Sequence, residues 1–252
     1  MKKVKLKKTL GQHLLVDPHY LKKIEEASNR LVDYEMVLEV GPGMGALTDI
    51  LQPKLGQRLN LVELDNRFAS EMAERYPDNK LYHQDFLSLN LDEVLNGKAA
   101  IAGNFPYNIS TQIIFRIIEN RDKVSAMLGM FQKEVAERLC AGPGTKAYGI
   151  PSVLAALYFK RELLFEIPPE AFNPPPKVDS AIAWMERDES LDPDIPYKRI
   201  AQLVKLGFNQ RRKTLRNSLK SISEGEEFPY SDKRPEQLEP IQFVEIAKSL
   251  EK

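Results

Sequence analysis

Polar residues recur along the first half of the chain where short apolar segments end. The apolar segment Met36–Val40 runs directly into a glycine-rich turn at Gly41, and Glu63, Asp85 and Asn104 follow Gly41 at successive intervals of 22, 22 and 19 residues. Apolar segments separated by helix-length spacers are typical of a parallel sheet, whose strands deliver their carboxyl ends to one edge. The sequence therefore predicts an α/β fold with these polar residues gathered at that edge.

The glycine-rich turn Gly41-Pro42-Gly43-Met44-Gly45 allows a tight change of direction and a close approach of a ligand to the backbone. Glu63 stands at the distance at which a carboxylate on the second strand accepts from both hydroxyls of a ribose. When the turn is extended to Ala46, it also fits the dinucleotide pattern G-x-G-x-x-(G/A). These features predict a nucleotide-containing cofactor and leave an oxidoreductase with a nicotinamide cofactor as an open alternative.

The tetrapeptide Asn104-Phe105-Pro106-Tyr107 follows another apolar segment, Ala99–Gly103, and Pro106 ends that strand because proline has no N–H to donate. The side-chain oxygen of Asn104 and the Phe105 carbonyl could accept the two hydrogen bonds of an adenine N6 amino group, while Tyr107 covers the face of the base. An ordinary strand-to-helix turn, with Asn104 as a cap and Tyr107 in the core, is the alternative.

The 252 residues suffice for one large domain and one small one. The composition becomes polar around residues 186–196, with two prolines, and the pattern beyond is helical. We therefore predict domains at 1–188 and 189–252. The single cysteine, Cys140, excludes an internal disulfide and a cysteine metal cluster, no apolar run approaches the ~20 residues of a membrane span, and the basic N-terminus lacks the apolar stretch of a secretory signal. We expect a cytoplasmic protein without a membrane partner and without a metal.

The formal net charge of zero conceals two basic segments. Five of the first eight residues are lysines, and the segment from Lys198 to Lys220 contains eight cationic residues and no acidic residue. Two separated basic segments on a neutral chain indicate a polyanionic partner such as RNA. A solvated tail and a solvated helix are the alternative, since most single charge runs are of that kind.

Five segments, taken in their order and spacing, resemble the small-subunit ribosomal RNA adenine N6-dimethyltransferases of the KsgA type. The resemblance covers nearly the whole chain. It depends on Leu10–Leu15, Glu39–Gly45, Asn104–Ser110, Pro174–Ser180 and Phe208–Leu215. That family usually has a small aliphatic residue at position 105, so Phe105 is a departure, although only its backbone carbonyl would be needed. The resemblance implies a Rossmann-like S-adenosylmethionine methyltransferase domain followed by a small all-helical C-terminal domain.

The resemblance also implies S-adenosyl-L-methionine as the cofactor and assigns residues to it. His13 and Leu15 would close over the cofactor. Gly41 would lie against its methionine part, and Gly43 belongs to the same turn. Glu63 would hold the ribose.

Further positions are implied for the adenine of the cofactor and for the target base. Asp85 would accept from the amino group of the cofactor's adenine, and Asn104 would lie between cofactor and target. Asn104 and the Phe105 carbonyl would orient the target N6, and Tyr107 would stack on one face of the base. The stiff proline segment that follows Phe172 could aim its ring at the other face.

The implied partner is small-subunit rRNA within a partly assembled 30S ribosomal subunit, modified at two adjacent adenines near its 3′ end by a monomeric enzyme. Lys7, Lys8, Arg211, Arg212 and Lys213 are the predicted RNA contacts, because arginine forks and lysines suit a phosphate backbone. The alternatives are a large-subunit rRNA adenine methyltransferase and a non-catalytic RNA-binding assembly factor. Asn108 and the block Phe208–Leu215 favour the small-subunit function.

Overall fold

The computed structural model describes residues 13–250, and its largest feature is a seven-stranded sheet of strand order β4-β3-β2-β5-β6-β9-β7. Strands β1 and β8 form a separate two-stranded antiparallel pair. The strands are β1 Leu14–Leu15, β2 Met36–Val40, β3 Leu59–Glu63, β4 Leu81–His83, β5 Ala99–Asn104, β6 Val124–Gln132, β7 Phe159–Ile167, β8 Phe172–Asn173 and β9 Ser180–Arg187.

Helices connect these strands and form the C-terminal part of the chain. The α-helices are α1 Pro18–Ala27, α2 Thr48–Leu55, α3 Asn66–Arg75, α4 Leu91–Val94, α5 Ser110–Glu119, α6 Lys133–Cys140, α7 Ile150–Ala156, α8 Tyr197–Asn209, α9 Leu215–Ser218, α10 Lys220–Ser223 and α11 Pro240–Ser249. Short 3-10 turns occupy Ser28–Leu31, Gly56–Arg58, Phe86–Ser88, Pro169–Ala171, Glu189–Leu191 and Pro235–Gln237.

The first five strands of the large sheet, from β4 to β6, are parallel, which confirms the predicted α/β fold. Strand β9 returns antiparallel to β6. Strands β2 and β3 are buried along their whole length, as expected for apolar segments covered by helices on both faces of a parallel sheet. The carboxyl ends of β2, β3, β4 and β5 therefore meet at one edge.

Helix α1 begins at Pro18, where the sequence carries a strong local signal for a helix start. Asp17 is the N-cap and its side chain accepts a hydrogen bond from His19 N at 2.8 Å, and Pro18 occupies the first helical position.

The apolar run 153–159 has a composition typical of a buried strand, but its first four residues, 153–156, belong to helix α7, and β7 begins only at Phe159. The helix begins after Gly149, whose N–H donates to Ser152 Oγ at 3.0 Å, with Pro151 in the first turn. A short, fully apolar run has no periodicity that distinguishes a buried helix from a buried strand. The proline and the capping serine before it are the features that indicate a helix start.

Within the described residues the chain forms two compact units. One comprises the residues up to 136 together with 162–186, and the other comprises 137–161 and the residues from 187 onwards. The predicted boundary after 188 lies two residues beyond the last break, which falls between 186 and 187, and residues 137–161 cluster with the C-terminal part. From 188 to 250 the chain contains helices and turns without strands. The division into a methyltransferase domain and an RNA-recognition domain stays a prediction.

No helix among the described residues is long and apolar enough to cross a membrane.

Candidate active site

A cavity of about 260 Å³ opens in the first unit at the carboxyl ends of the parallel strands. All seven residues predicted to bind the cofactor line it: His13, Leu15, Gly41, Gly43, Glu63, Asp85 and Asn104. They come from five separate segments of sequence, and the parallel topology brings them together because β2, β3, β4 and β5 end at the same edge. Their binding of a cofactor stays a prediction, but their convergence is a feature of the fold.

The glycine-rich turn forms one wall of this cavity. Gly41 and Gly43 have φ angles of 69° and 56°, a left-handed backbone that favours glycine. A Cβ atom added to Gly41 would meet no atom within 4 Å, so the space beside this backbone is open to a ligand. Gly43 N donates to Glu63 Oε2 at 3.1 Å, which fixes the turn to the end of β3.

Glu63 is 7% exposed and held in one orientation by two backbone donors. Its Oε1 accepts from Asp65 N at 2.8 Å, and its Oε2 accepts from Gly43 N at 3.1 Å. Burial raises the pKa of this carboxyl, and hydrogen bonds from the backbone N–H groups of Asp65, Gly43 and Leu64 oppose that effect. Each carboxylate oxygen can accept two hydrogen bonds, so Glu63 retains capacity for a pair of ligand hydroxyls.

Asp85 lies at the end of the β4 segment with its side chain half-buried. Its Oδ1 accepts from Leu87 N at 2.9 Å and caps the 3-10 turn Phe86–Ser88. The cap fixes the carboxylate in the cavity wall beside Gln84 and Phe86. Capping this turn and the predicted ligand contact are compatible roles of Asp85, since its second carboxylate oxygen is left for a donor.

Asn104 ends β5 and donates from Nδ2 to the backbone oxygen of His13 at 3.3 Å. Because the amide nitrogen is engaged with the protein, Oδ1 is the atom left to accept a hydrogen bond from a ligand. The His13 ring in turn contacts Pro174 O through Nδ1 at 2.9 Å. His13 thus connects the turn at Asn104 to the proline segment that begins at Pro174. This is a structural role, and the predicted role of His13 above the cofactor would be additional to it.

Tyr107 is half-buried, and its ring stacks on His13 with centroids 5.8 Å apart and an interplanar angle of 23°. The Tyr107 hydroxyl shares a 2.7 Å hydrogen bond with Ser180 Oγ, and burial raises the pKa of Tyr107. The stacking on His13 and the hydrogen bond to Ser180 together fix the orientation of the Tyr107 ring. Such a plane is suited to stacking on a flat base.

Phe172 is placed differently from its predicted role at the target base. It pairs with Leu15 in the β1–β8 ladder, and its side chain is 3% exposed within the hydrophobic core. A ring buried to this extent has no open face on which a base could stack. We therefore leave Phe172 out of the proposal below and assign it to the core.

Glu39 is a cavity residue that sequence reasoning missed. It lies on β2 with 1% exposure, and burial raises the pKa of its carboxyl to about 8. The neighbouring Thr48 hydroxyl offsets only part of that effect, and Glu39 Oε2 has no hydrogen-bond partner within residues 13–250. The sequence signal for this residue is an acidic side chain inside an otherwise apolar strand. Burying an unpaired carboxyl costs folding free energy, so such a residue indicates a ligand or another function.

Arg75, at the end of α3, also escaped the sequence reasoning. It donates from Nη1 to Met44 O at 2.7 Å and from Nη2 to Asp49 Oδ1 at 2.7 Å. Tyr76 OH donates to the same Asp49 carboxylate. The guanidinium therefore holds the glycine-rich turn from outside the cavity. No local motif marks this role, because Met44 is 31 residues away in sequence.

The predicted RNA contacts differ in how they are placed. Lys7 and Lys8 lie outside the described residues. In the second unit Arg212 and Lys213 are exposed, but Arg211 is half-buried and donates to Lys146 O at 2.9 Å and to Thr145 O at 3.2 Å. Arg211 therefore supports the loop 142–149 with its guanidinium, which leaves less of it to meet a phosphate.

Comparison with known sequences identifies relatives along the full chain. Residues 3–251 match the family model described as "Ribosomal RNA adenine dimethylase". The chain is similar to the "Ribosomal RNA small subunit methyltransferase A" of Bacteroides thetaiotaomicron, at 44% identity over 259 residues, covering 100% of this chain and 96% of the relative. The protein of the same name from Flavobacterium johnsoniae is 44% identical over 257 residues, covering 100% of this chain and 98% of the relative.

Solved structures show the same fold. A dimethyladenosine transferase from Plasmodium falciparum superposes with a TM-score of 0.78 at 27% identity, covering 93% of this chain and 96% of that one. The 23S rRNA methyltransferase ErmE superposes with a TM-score of 0.68 at 23% identity, covering 95% of this chain and 100% of that one. At that identity the likeness to ErmE concerns the fold alone.

Proposed function

Because the chain belongs to the ribosomal RNA adenine dimethylase family, we propose that it transfers methyl groups from S-adenosyl-L-methionine to the N6 amino groups of two adjacent adenines near the 3′ end of small-subunit rRNA. The substrate would be a partly assembled 30S subunit in the cytoplasm, and the enzyme would act as a monomer. One observation supports the site in particular: seven residues from separate segments line a single cavity of about 260 Å³.

The residues present suit the proposed cofactor. A carboxylate held rigidly at Glu63 matches a ribose diol, and the open space at Gly41 admits a ligand against the backbone. The unpartnered Oε2 of Glu39 would be satisfied by a donor such as the amino group of a bound amino acid moiety. Asp85 would accept from the exocyclic amine of the cofactor's adenine. When bound, S-adenosylmethionine would supply an electrophilic methyl group on its sulfonium sulfur.

The residues of the Asn104 turn would prepare the target nitrogen. The N6 lone pair of adenine is delocalised into the ring, so this nitrogen is a poor nucleophile. Asn104 Oδ1 and the Phe105 carbonyl would each accept one N6 hydrogen, which favours a more tetrahedral nitrogen whose lone pair is available. Tyr107 would hold the base by stacking. Positioning and hydrogen bonding then supply the acceleration, without a covalent bond between protein and base.

Dimethylation places a further demand on this turn. The first transfer replaces one N6 hydrogen by a methyl group, so the second transfer proceeds with one acceptor hydrogen bond fewer. The pocket must also accommodate the first methyl group.

The second unit would contact the phosphate backbone of the rRNA. Arg212 and Lys213 are exposed and suit phosphate contacts, whereas Arg211 would act chiefly by holding the loop that carries Thr145 and Lys146.

The alternatives are separated by specific observations. The relatives at 44% identity carry the name of a small-subunit methyltransferase, which favours small-subunit over large-subunit rRNA. The alternative of a nicotinamide oxidoreductase does not explain the turn formed by residues 104–107. A non-catalytic assembly factor would use the same surface, so an activity measurement has to distinguish it.

The decisive assay is transfer of labelled methyl groups to under-methylated small subunits, followed by mass analysis of the digested rRNA for N6,N6-dimethyladenosine. We expect this product from the wild-type protein, and we expect Asn104→Ala and Tyr107→Ala to lose transfer by about 100-fold or more while cofactor affinity is largely kept. Tyr107→Phe, which keeps the ring, serves as the matched control for Tyr107→Ala. Cofactor binding without transfer to small subunits, large subunits or free rRNA would favour the assembly factor instead.

A further inference from the structure

The proline segment that leads into β9, residues 174–180, is connected to the Tyr107 ring at both of its ends. At its start, Pro174 O contacts His13 Nδ1 at 2.9 Å, and the His13 ring stacks on Tyr107. At its end, Ser180 Oγ shares a 2.7 Å hydrogen bond with the Tyr107 hydroxyl. Two contacts from one segment therefore converge on a ring that lies 73 residues away from Ser180 in sequence.

Ser180 presents its hydroxyl from a backbone that is held in place. The residue is fully buried, and it pairs with Gln132 where the β6–β9 ladder begins. The residue before it is also held, because Lys133 N donates to Asp179 O at 2.9 Å. The position of a serine oxygen depends on the backbone and on one staggered torsion, so a fixed backbone leaves it few positions.

The two contacts constrain the Tyr107 ring in different ways. Stacking on His13 covers one face of the ring and sets its tilt, but offset stacking tolerates a sliding of one ring over the other. A hydrogen bond is directional, so the contact with Ser180 fixes the end of the ring that carries the hydroxyl. Because His13 covers one face, the opposite face is the one on which a base would stack.

We propose that Ser180 is a positioning residue that holds the Tyr107 ring in register with the target adenine, so that its hydroxyl affects the rate of methyl transfer rather than the binding of either substrate. This inference rests on the proposed function. Ser180 is not among the residues that line the cavity, so it acts through Tyr107. A base stacked on a displaced ring presents its N6 away from the line of the methyl group, and such misalignment is costly in rate.

The test is the steady-state kinetics of methyl transfer to under-methylated small subunits. Ser180→Ala should lower kcat by about fivefold to tenfold, while KM for small subunits and the affinity for S-adenosylmethionine stay within about twofold of wild type. Ser180→Thr keeps a hydroxyl on the same carbon and should recover most of kcat. The matched control is Ser28→Ala, which removes another buried hydroxyl of the first unit, bonded to Glu25 O and absent from the cavity wall, and which should keep the wild-type kcat.

A double variant tests the hydrogen bond itself. Tyr107→Phe removes the same bond from the other side and should lower kcat by a similar factor, well short of the loss of about 100-fold expected for Tyr107→Ala. Since both changes break one bond, Ser180→Ala combined with Tyr107→Phe should be slower than either single variant by no more than about twofold, whereas independent effects would multiply to about 25-fold to 100-fold. If Ser180→Ala does not fold, Tyr107→Phe carries the test, and a wild-type kcat in that variant overturns the proposal.

The proposed function and the role of Ser180 are overturned by different results. A wild-type protein that makes no methylated adenosine on small-subunit rRNA overturns the proposed function. A wild-type protein that makes dimethyladenosine, together with a Ser180→Ala variant whose kcat matches that of Ser28→Ala, overturns only the role of Ser180. The same conclusion follows if the effects of Ser180→Ala and Tyr107→Phe multiply in the double variant.

Discussion

Replacing Glu39 by glutamine tests whether the buried carboxyl of β2 makes the protein less stable as the pH rises. Burial raises the pKa of Glu39 from 4.5 to about 8 in the folded protein. Between those values the folded state keeps the proton and the unfolded state releases it. The folded state therefore binds more protons, and the free energy of unfolding falls as the pH rises through this window.

The size of the effect follows from the pKa difference. Each pKa unit corresponds to about 1.4 kcal/mol, so Glu39 should lower the free energy of unfolding by about 1.4 kcal/mol per pH unit over the middle of the window. Between pH 4 and pH 9 the sum is on the order of 4 kcal/mol. Glutamine has nearly the same shape and does not ionise, so Glu39→Gln should be free of this slope.

The assay is urea unfolding of the ligand-free protein at several pH values from 4.5 to 8.5. The difference in free energy of unfolding between Glu39→Gln and wild type should grow steadily in favour of the variant as the pH rises. Glu74→Gln, an exposed position on α3, is the matched control and should run parallel to wild type. A difference between Glu39→Gln and wild type that is independent of pH would refute the reasoning, because it would mean that Glu39 titrates alike in both states.

Two further predictions concern the glycine-rich turn and the second unit. Arg75→Lys keeps the positive charge but loses the guanidinium fork that binds both Met44 O and Asp49, so we expect about fivefold to tenfold weaker binding of S-adenosylmethionine in calorimetry, with turnover at saturating cofactor retained. Arg30→Lys, in an exposed ion pair with Glu162 that is not part of the cavity wall, should match wild type. Arg212→Ala and Lys213→Ala should each make the slope of log affinity for rRNA against log salt concentration shallower by about 0.7 to 0.9. Lys22→Ala is the control and should keep the wild-type slope. An unchanged slope in both variants would show that Arg212 and Lys213 do not contact the RNA.

Local signals account for the parts of the fold that the sequence predicted. Asp17 and Pro18 mark the start of α1 within three residues of sequence, and the segment Met36–Val40 is apolar over its whole length apart from Glu39. The segment 153–159 shows the limit, because an apolar run alone does not distinguish helix from strand.

The candidate site was predictable to the extent that it depends on where strands end. Gly41, Glu63, Asp85 and Asn104 were placed together from their spacing alone, since parallel strands must end at one edge. The geometry of each side chain was not predictable in this way. Glu39 lies in the same wall, but its unpartnered oxygen becomes evident only when every neighbour of β2 is in place.

The sequence by itself determined the order of the elements and the set of residues delivered to the cavity, because both follow from periodicity and from spacing along one chain. Tertiary structure alone decided which side chains remain available. Phe172 is buried in the core, where it pairs with Leu15, and Arg211 donates hydrogen bonds to the carbonyl groups of a loop distant in sequence. The Phe105 ring is likewise buried beside Gly129, where it packs against Phe131. These outcomes depend on contacts between residues far apart in sequence, and no local pattern encodes such contacts.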